Sequence, residues 1–517
     1  MADYGRRFGL WPVFLLLFAV LGVGAWLAWN AYGPGAGDTS PGAPHLAVSL
    51  DTRGPYLILA SRKAQSEYAQ ALDIARELHP GAEIVAFDPA DLSGVRDALA
   101  RIKPRYALIL LLPGELDVNF AWAWLRLAVA VDDDPFVDVA AGFVTGSTPE
   151  AAAALLQRTR DALEGKTRIP AALVDDLGAN PQADPGMFSK TRDTFFLPAF
   201  KDRMHVATIS HGVRGFGRDR LDSLAGAGIV HFGGHGYPDR IVDSLNGPFV
   251  RQVPFDPCLI FNGACYTGVV GRWFDTTGGR VQAKEVEPGN CFALGVLENR
   301  VVAYLAALHP DHGIPVYQEM EYMAWSGESL GYVMKHTHDG VVLGFGGELP
   351  PWADLAPGQP VDAVPAWIML RGTASRVLYG DPSLVVGEAF AEPPLDIRIQ
   401  EGNGRLKLRA VVHNTLLRAT FTDTYYSDLS APRAPFNDRA LVSADLPPGW
   451  DAVALVEVAK IRAPTVDLPF RLVGWALEKD ADGTARLHVL VDVPATGYMQ
   501  SALRQPGVEL EINVSAY

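Results

Sequence analysis

The seven residues from Tyr106 to Leu112 (YALILLL) form a near-continuous apolar run with no polar alternation. A strand carrying such a run is buried on both faces, which marks a parallel sheet with helices on either side. The flanking sequence agrees. Tyr56–Ala60 (YLILA) precedes an amphipathic stretch from Lys63 to Leu78, and Glu83–Phe87 (EIVAF) precedes Leu92–Ile102. This β-α-β-α-β rhythm predicts a parallel sheet with right-handed crossovers. It continues with a strand over Val137–Val144. Thr148 then reads as an N-cap, with Pro149 at the first position of an Ala/Leu-rich helix. Beyond a loop-rich stretch from Pro170 to about Gly186, His205–Ser210, Gly228–Phe232 and Cys258–Phe261 read as short strands. Val301–Leu305 and Val341–Leu343 are expected to close a second sheet segment.

After Leu384 the helical periodicity fades, and Glu392-Pro393-Pro394 punctuates the chain. Leu395–Ile399, Arg405–Val412, Arg418–Thr424, Ala452–Val458, Phe470–Ala476 and Ala485–Val493 read as short alternating strands between turn clusters such as Glu401-Gly402-Asn403-Gly404. That spacing predicts a separate all-β, Ig-like sandwich over residues 392–517.

At the other end, Arg6 and Arg7 precede an uncharged apolar run from Phe8 to about Ala31. Crossing a hydrocarbon core of ~30 Å takes roughly 20 helical residues, which this run supplies. Trp11 at one end and Trp26, Trp29 and Tyr32 at the other match an interfacial aromatic belt, and the arginines place the N-terminus inside. The reading is a transmembrane helix over residues 1–32, or a cleaved secretory signal; both carry the body out of the cytoplasm, to a periplasmic or extracellular setting. Residues 33–47, rich in Gly, Pro and Ser, form a tether. The body then divides into a first α/β subdomain over 48–175 and a second over 176–391.

With 59 acidic against 44 basic residues the net charge is −15, which argues against a nucleic-acid partner. Only Cys258, Cys265 and Cys291 are available as thiols. An odd count leaves at least one free, and so few exclude a disulfide scaffold.

Two segments share one form: an apolar strand, small residues, then a reactive side chain. Ile229–Phe232 leads through Gly233 and Gly234 to His235 and Gly236, and Cys258–Phe261 leads through Asn262, Gly263 and Ala264 to Cys265. In open α/β sheets the residues beyond the carboxyl ends of strands face the ligand. A thiol beside an imidazole gains thiolate character, and the N–H groups of Gly236 and Cys265 are natural oxyanion donors. A strand ending in His-Gly, followed 30 positions later by one ending in Ala-Cys, resembles the caspase-like peptidase clan, and within it the gingipain family. Asp134 to Gly142 (DPFVDVAAG) before Thr148-Pro149-Glu150, Leu378 to Leu384 (LYGDPSL), and a sandwich after that motif also resemble the gingipain layout. The resemblance covers roughly residues 50–390 plus the C-terminal domain.

The resemblance implies a caspase-fold parallel-sheet sandwich in two subdomains and a cysteine endopeptidase acting on protein or peptide substrates. It makes Cys265 the nucleophile, His235 the general base and acid, and Gly236 part of the oxyanion hole. Asp133 or Asp134 would be the acid that orients the histidine, and structural calcium enters by resemblance only. Gly263 stands where several clan members that cut after Arg or Lys carry an acid, and Phe143 replaces an arginine usual in the first subdomain. Basic specificity is therefore not carried over.

Elsewhere the signals are bland. His231, inside its strand, reads as a core or supporting histidine. His309, His312, His336 and His338 offer imidazoles for a metal, but HExxH is missing and Pro310 breaks the first pair's spacing. No metal site is expected, and the Asp132-Asp133-Asp134 run reads as a solvated cap. GxSxG and GxxxxGK[ST] are also missing. The alternative to a membrane-anchored endopeptidase is an idle caspase-fold module for binding or envelope assembly.

Overall fold

The computed structural model describes residues 44–176, 200–209, 224–241, 245–311, 315–344, 348–350, 353–361, 371–389, 391–413, 436–450, 455–462, 471–479, 485–495, 507 and 509–515. The expected membrane segment 1–32 and the strand expected at Arg418–Thr424 lie outside them. Among the described residues no helix is long and apolar enough to cross a membrane.

The apolar runs become the strands of one ten-stranded sheet. In chain order these are β1 (Tyr56–Ser61), β2 (Glu83–Phe87), β3 (Tyr106–Leu110), β4 (Ala140–Val144), β5 (Ala172–Asp176), β6 (His205–Ile209), β7 (Ile229–Phe232), β8 (Cys258–Asn262), β9 (Val301–Ala307) and β10 (Arg376–Tyr379). Across the sheet the order is β2-β1-β3-β4-β10-β9-β8-β7-β5-β6. Every neighbouring pair is parallel except β9 with β10. The sheet thus consists of two parallel halves of opposite direction, β1–β4 with β10 and β5–β9, whose strands end at opposite edges.

Helices cover both faces, as the run at β3 requires: all five of its residues are buried. One face packs Leu57, Ile109, Val230, Ile260 and Tyr379 beneath the helices Val118–Ala128 and Phe292–Leu297. On the other, Ile58, Leu108 and Val144 meet Leu72 and Leu156 of the helices Ala69–Leu78 and Pro149–Leu163. In the second half Ile229, Leu259 and Leu305 meet the helix Pro315–Ser326. Thr148 caps its helix as expected, its hydroxyl accepting the Ala151 N–H at 3.2 Å.

Val341–Leu343 is not a strand. It lies in the helix Leu330–Gly344, and the strand that joins the halves is β10. A three-residue apolar run does not distinguish the two states, and here helical pairs decide it: the Lys335 ammonium meets Asp339 four residues on at 2.8 Å.

The C-terminal region forms β11 (Leu395–Gly402), β12 (Arg405–Val412), β13 (Phe436–Asp445), β14 (Leu455–Arg462), β15 (Arg471–Lys479), β16 (Ala485–Ala495) and β17 (Glu509–Ser515). They make two antiparallel sheets, β11-β12-β17-β14 and β13-β16-β15, that share an apolar core. Asn403 (φ 53°) and Gly404 (φ 70°) form the two-residue turn between β11 and β12, both in the left-handed region such a turn needs. Among the described residues the sandwich has four strands in one sheet and three in the other. Its order differs from an immunoglobulin domain, where the fifth strand lies beside the second and the seventh beside the sixth; here these two positions are exchanged. The sandwich docks on the helix Leu330–Gly344, where Lys335 reaches Glu478 at 2.9 Å and Phe136 packs on His488.

Candidate active site

β7 and β8 pair in parallel with Ile229 opposite Leu259 and Phe232 opposite Asn262. The register offset is 30 residues, the same as the separation of His235 and Cys265. Both therefore leave the sheet three residues beyond paired positions, at one edge and on neighbouring strands that run about 4.8 Å apart. The Gly263 N–H, bonded to the Phe232 carbonyl at 2.9 Å, carries the pairing one step past the strands.

Gly236 makes the close approach possible. A Cβ there would stand 2.3 Å from the Cys265 carbonyl oxygen and 2.9 Å from its nitrogen, so only glycine lets the two backbones touch. After the cysteine the chain turns sharply, and Tyr266 takes a left-handed φ of 60°. For a bulky residue that conformation costs on the order of 1–3 kcal/mol and is held only by its surroundings. Tyr266 is buried against Trp273 and His309.

The thiol of Cys265 donates to the Asp311 carbonyl at 3.0 Å, and the Asp311 N–H points back at the sulfur at 3.3 Å. Burial pushes this thiol up to about 11, against the pull of the N–H groups of Asp311, Cys265 and Gly236. In this state it is neutral. Cys258 and Cys291 are fully buried with thiols raised by burial, whereas Cys265 keeps part of its surface exposed. His235 is exposed, and among the described residues it forms no ion pair with a carboxylate.

Asp133 and Asp134 are not brought to the histidine. They precede β4 at the same edge of the sheet, but β9 and β10 intervene between β8 and β4. Asp133 is exposed, and Asp134 accepts the N–H groups of Phe136 at 2.8 Å and of Lys479 in the sandwich at 3.2 Å. Asp132, Asp134 and Asp138 cluster within 4.8 Å. Burial followed by mutual repulsion raises Asp138 to about 8, while burial lifts Asp134 to about 6. These carboxylates also accept N–H groups of their own turn, including those of Asp134 and Val131.

His231 is a core histidine, as its position in the strand implied: its Nδ1 meets the buried Asp175 carboxylate at 2.6 Å, and its ring packs on Tyr317. His309 is buried and held down to about 3 by desolvation and the nearby Arg371. His336 stacks on Tyr322, and His338 bonds the Arg376 carbonyl. His231, His309, His336 and His338 thus have separate contacts, and His312 lies outside the described residues.

Sequence reasoning missed several groups. Asp176, buried at the end of β5, stands opposite Phe232, and its carbonyl accepts the Gly233 N–H at 3.0 Å, where the turn to His235 begins. Asp311 follows the wholly buried strand β9 much as His235 and Cys265 follow theirs, so the strand-end rule would have found it. Arg376, fully buried, bonds Asp311, Glu319 and the Asn262 carbonyl; nothing in its local sequence marks it.

The overall course of the chain is similar to that of gingipains. It superposes on gingipain R, an Arg-specific cysteine proteinase, with a TM-score of 0.46 and 13% identity over 70% of this chain and 86% of that one. In the complex of the pro- and mature domains of Porphyromonas gingivalis RgpB, the values are 0.44 and 12% over 69% and 86%. A structure described only as a protease gives 0.45 and 11% over 86% and 92%. No protein-family model and no curated protein matches the sequence. At these identities the functional reading rests on the chain's own residues.

Proposed function

We propose that the chain is a cysteine endopeptidase with Cys265 as nucleophile and His235 as general base and acid, anchored through residues 1–32 with its body outside the cytoplasm. The observation that carries this reading is the shared register, which sets His235 and Cys265 at matched positions past adjacent parallel strands. In the first step the sulfur bonds to the scissile carbonyl carbon while the thiol proton passes to His235. The carbonyl oxygen becomes an oxyanion facing the N–H groups of Gly236 and Cys265. Collapse breaks the C–N bond, and His235 returns the proton to the leaving amine. Water, deprotonated by His235, then attacks the thioester and frees the acid and the thiol. Because the resting thiol is neutral and bonded to Asp311, the substrate carbonyl must displace that contact. Asp176, whose main-chain carbonyl accepts the Gly233 N–H at 3.0 Å, supports the turn to His235, a part that Asp133 and Asp134 do not take.

A thiol-directed peptidyl probe applied to the ectodomain across a pH series tests the chemistry. Wild type should label, Cys265→Ala should not, and His235→Ala should slow labelling by about 10²-fold or more. Equal labelling of wild type and Cys265→Ala would sink the proposal. The anchor is tested by deleting residues 8–31: the full chain should stay with alkali-washed membranes and the shortened chain should not.

A further inference from the structure

Arg376 occupies an unusual position. It opens β10 at the junction of the two halves, and its side chain is fully buried. Its guanidinium forks onto both carboxylate oxygens of Glu319 on the helix Pro315–Ser326, with 2.7 Å from Nη2 to Oε2. The Nη1 group bonds two more acceptors: the Asn262 carbonyl at 3.0 Å and the Asp311 carboxylate. Burial acts to lower its pKa, but the two carboxylates outweigh this and keep it a cation.

Those last two acceptors flank the cysteine. Asn262 ends β8, and its Oδ1 accepts the Ala264 N–H at 2.8 Å while its Nδ2 donates to the Tyr304 hydroxyl at 3.0 Å. Asn262 therefore fixes the turn that presents Cys265. On the other side, the Asp311 carboxylate is tied down by Arg376, and the same residue's N–H and carbonyl bracket the sulfur. The Asp311 carbonyl, at the shorter distance, accepts from the protonated thiol and repels a thiolate. The Asp311 charge acts in the same sense, while the Asp311 N–H pulls the other way. A buried ion triad gives little net stability over apolar packing of equal volume, so stability alone does not account for it.

We propose that Arg376 is a positioning residue: through Asp311 it clamps the main chain that brackets the Cys265 sulfur, keeping the thiol neutral until substrate displaces Asp311. As a statement about a nucleophile this rests on the peptidase reading. The other ionisable groups around the sulfur do not take the same part. Glu319 is committed to Arg376, Tyr266 is held neutral by burial at about 12, His309 is neutral, and His235 lies exposed on the neighbouring turn.

Alkylation by iodoacetamide between pH 6 and 10, read by mass spectrometry at Cys265 in the full chain, tests the clamp. Asp311→Asn keeps the backbone and the Arg376–Glu319 pair but removes the charge that holds Asp311. It should alkylate at pH 8 about tenfold faster than wild type, its profile moved down by about one pH unit. Asp311→Asn also removes a charge that raises the thiol directly, so the clamp itself is read from Arg376→Lys. That substitution leaves the Asp311 charge in place and removes only the fork, and it should shift the profile in the same direction by less. A folded Arg376→Lys protein with the wild-type profile would overturn the proposal. A folded Asp311→Asn protein, verified by thermal unfolding, with the wild-type pH profile would overturn the proposal. Should that variant not fold, Arg376→Lys is judged by the same criterion. Iodoacetamide reads the thiol itself, so a wild type that ignores peptidyl probes would defeat the peptidase reading and leave a shifted alkylation profile standing.

Discussion

The two halves of the central sheet are built alike, yet their strand ends are used in opposite ways. In the first half the carboxyl ends are closed by their own caps. Ser61 at the end of β1 caps the following helix at 3.0 Å and donates to Glu115 at 2.6 Å, and Glu115 in turn accepts the Leu112 N–H. Tyr68 seals the loop after β4 by donating to the Gly146 carbonyl at 2.7 Å. In the second half, glycines and the Asn262 side chain shape the turns, and a histidine and a cysteine are carried to the edge. Both halves offer the same topological opportunity. A strand end becomes a candidate site when its reactive side chain is spared from satisfying the local backbone.

Paired glycine substitutions give the largest expected contrast. Gly236→Ala forces a Cβ to 2.3 Å from the Cys265 carbonyl, so labelling of Cys265 by a peptidyl probe should fall about 10²-fold or more. Gly142→Ala in the first half meets the Gly380 carbonyl at 2.2 Å. Denaturant unfolding should show it destabilised by about 1–3 kcal/mol, with labelling of the folded fraction unchanged. Equal loss of labelling in both would erase the distinction between the halves.

A pH experiment comes next. Burial acts to raise the Asp381 carboxyl, but His79 at 2.6 Å and the Ser383 hydroxyl and N–H outweigh it and hold it below the usual range. A carboxylate depressed in the folded state stabilises fully above its unfolded pKa of about 3.9 and loses that contribution as pH falls through the folded value. Asp381→Asn should therefore flatten the loss of stability below about pH 4, while leaving the pH profile of Cys265 alkylation in place. The smallest effect is expected at Thr148, whose replacement by Ala should cost about 1 kcal/mol of unfolding free energy and nothing in thiol reactivity.

Local chemistry was legible in the chain. The apolar runs at β1, β3, β7, β8 and β9 are strands because uninterrupted burial leaves them no other use, and the small residues before His235 and Cys265 announced turns. The halves' junction was not legible. β10 is four residues, begins with a charged side chain, and is recognisable as a core strand only once β4 and β9 flank it. Val341–Leu343 carried a more strand-like composition and is helical. Likewise, Asp133 and Asp134 matched a motif in order, but order along the chain says nothing of which strands separate two residues in the sheet.

Taken alone, the sequence determined that this protein has a parallel α/β body followed by an all-β region, and that one histidine and one cysteine lie just past buried strands. These follow from periodicity and turn chemistry, which act over a few residues. The tertiary structure decided that the 30-residue separation equals the strand register, so that the two stand at matched positions past neighbouring strands. It also decided that Asp311 faces the sulfur and that Arg376, 111 residues beyond Cys265, holds Asp311 there. Those contacts depend on pairings between distant segments, whose partners no local pattern specifies.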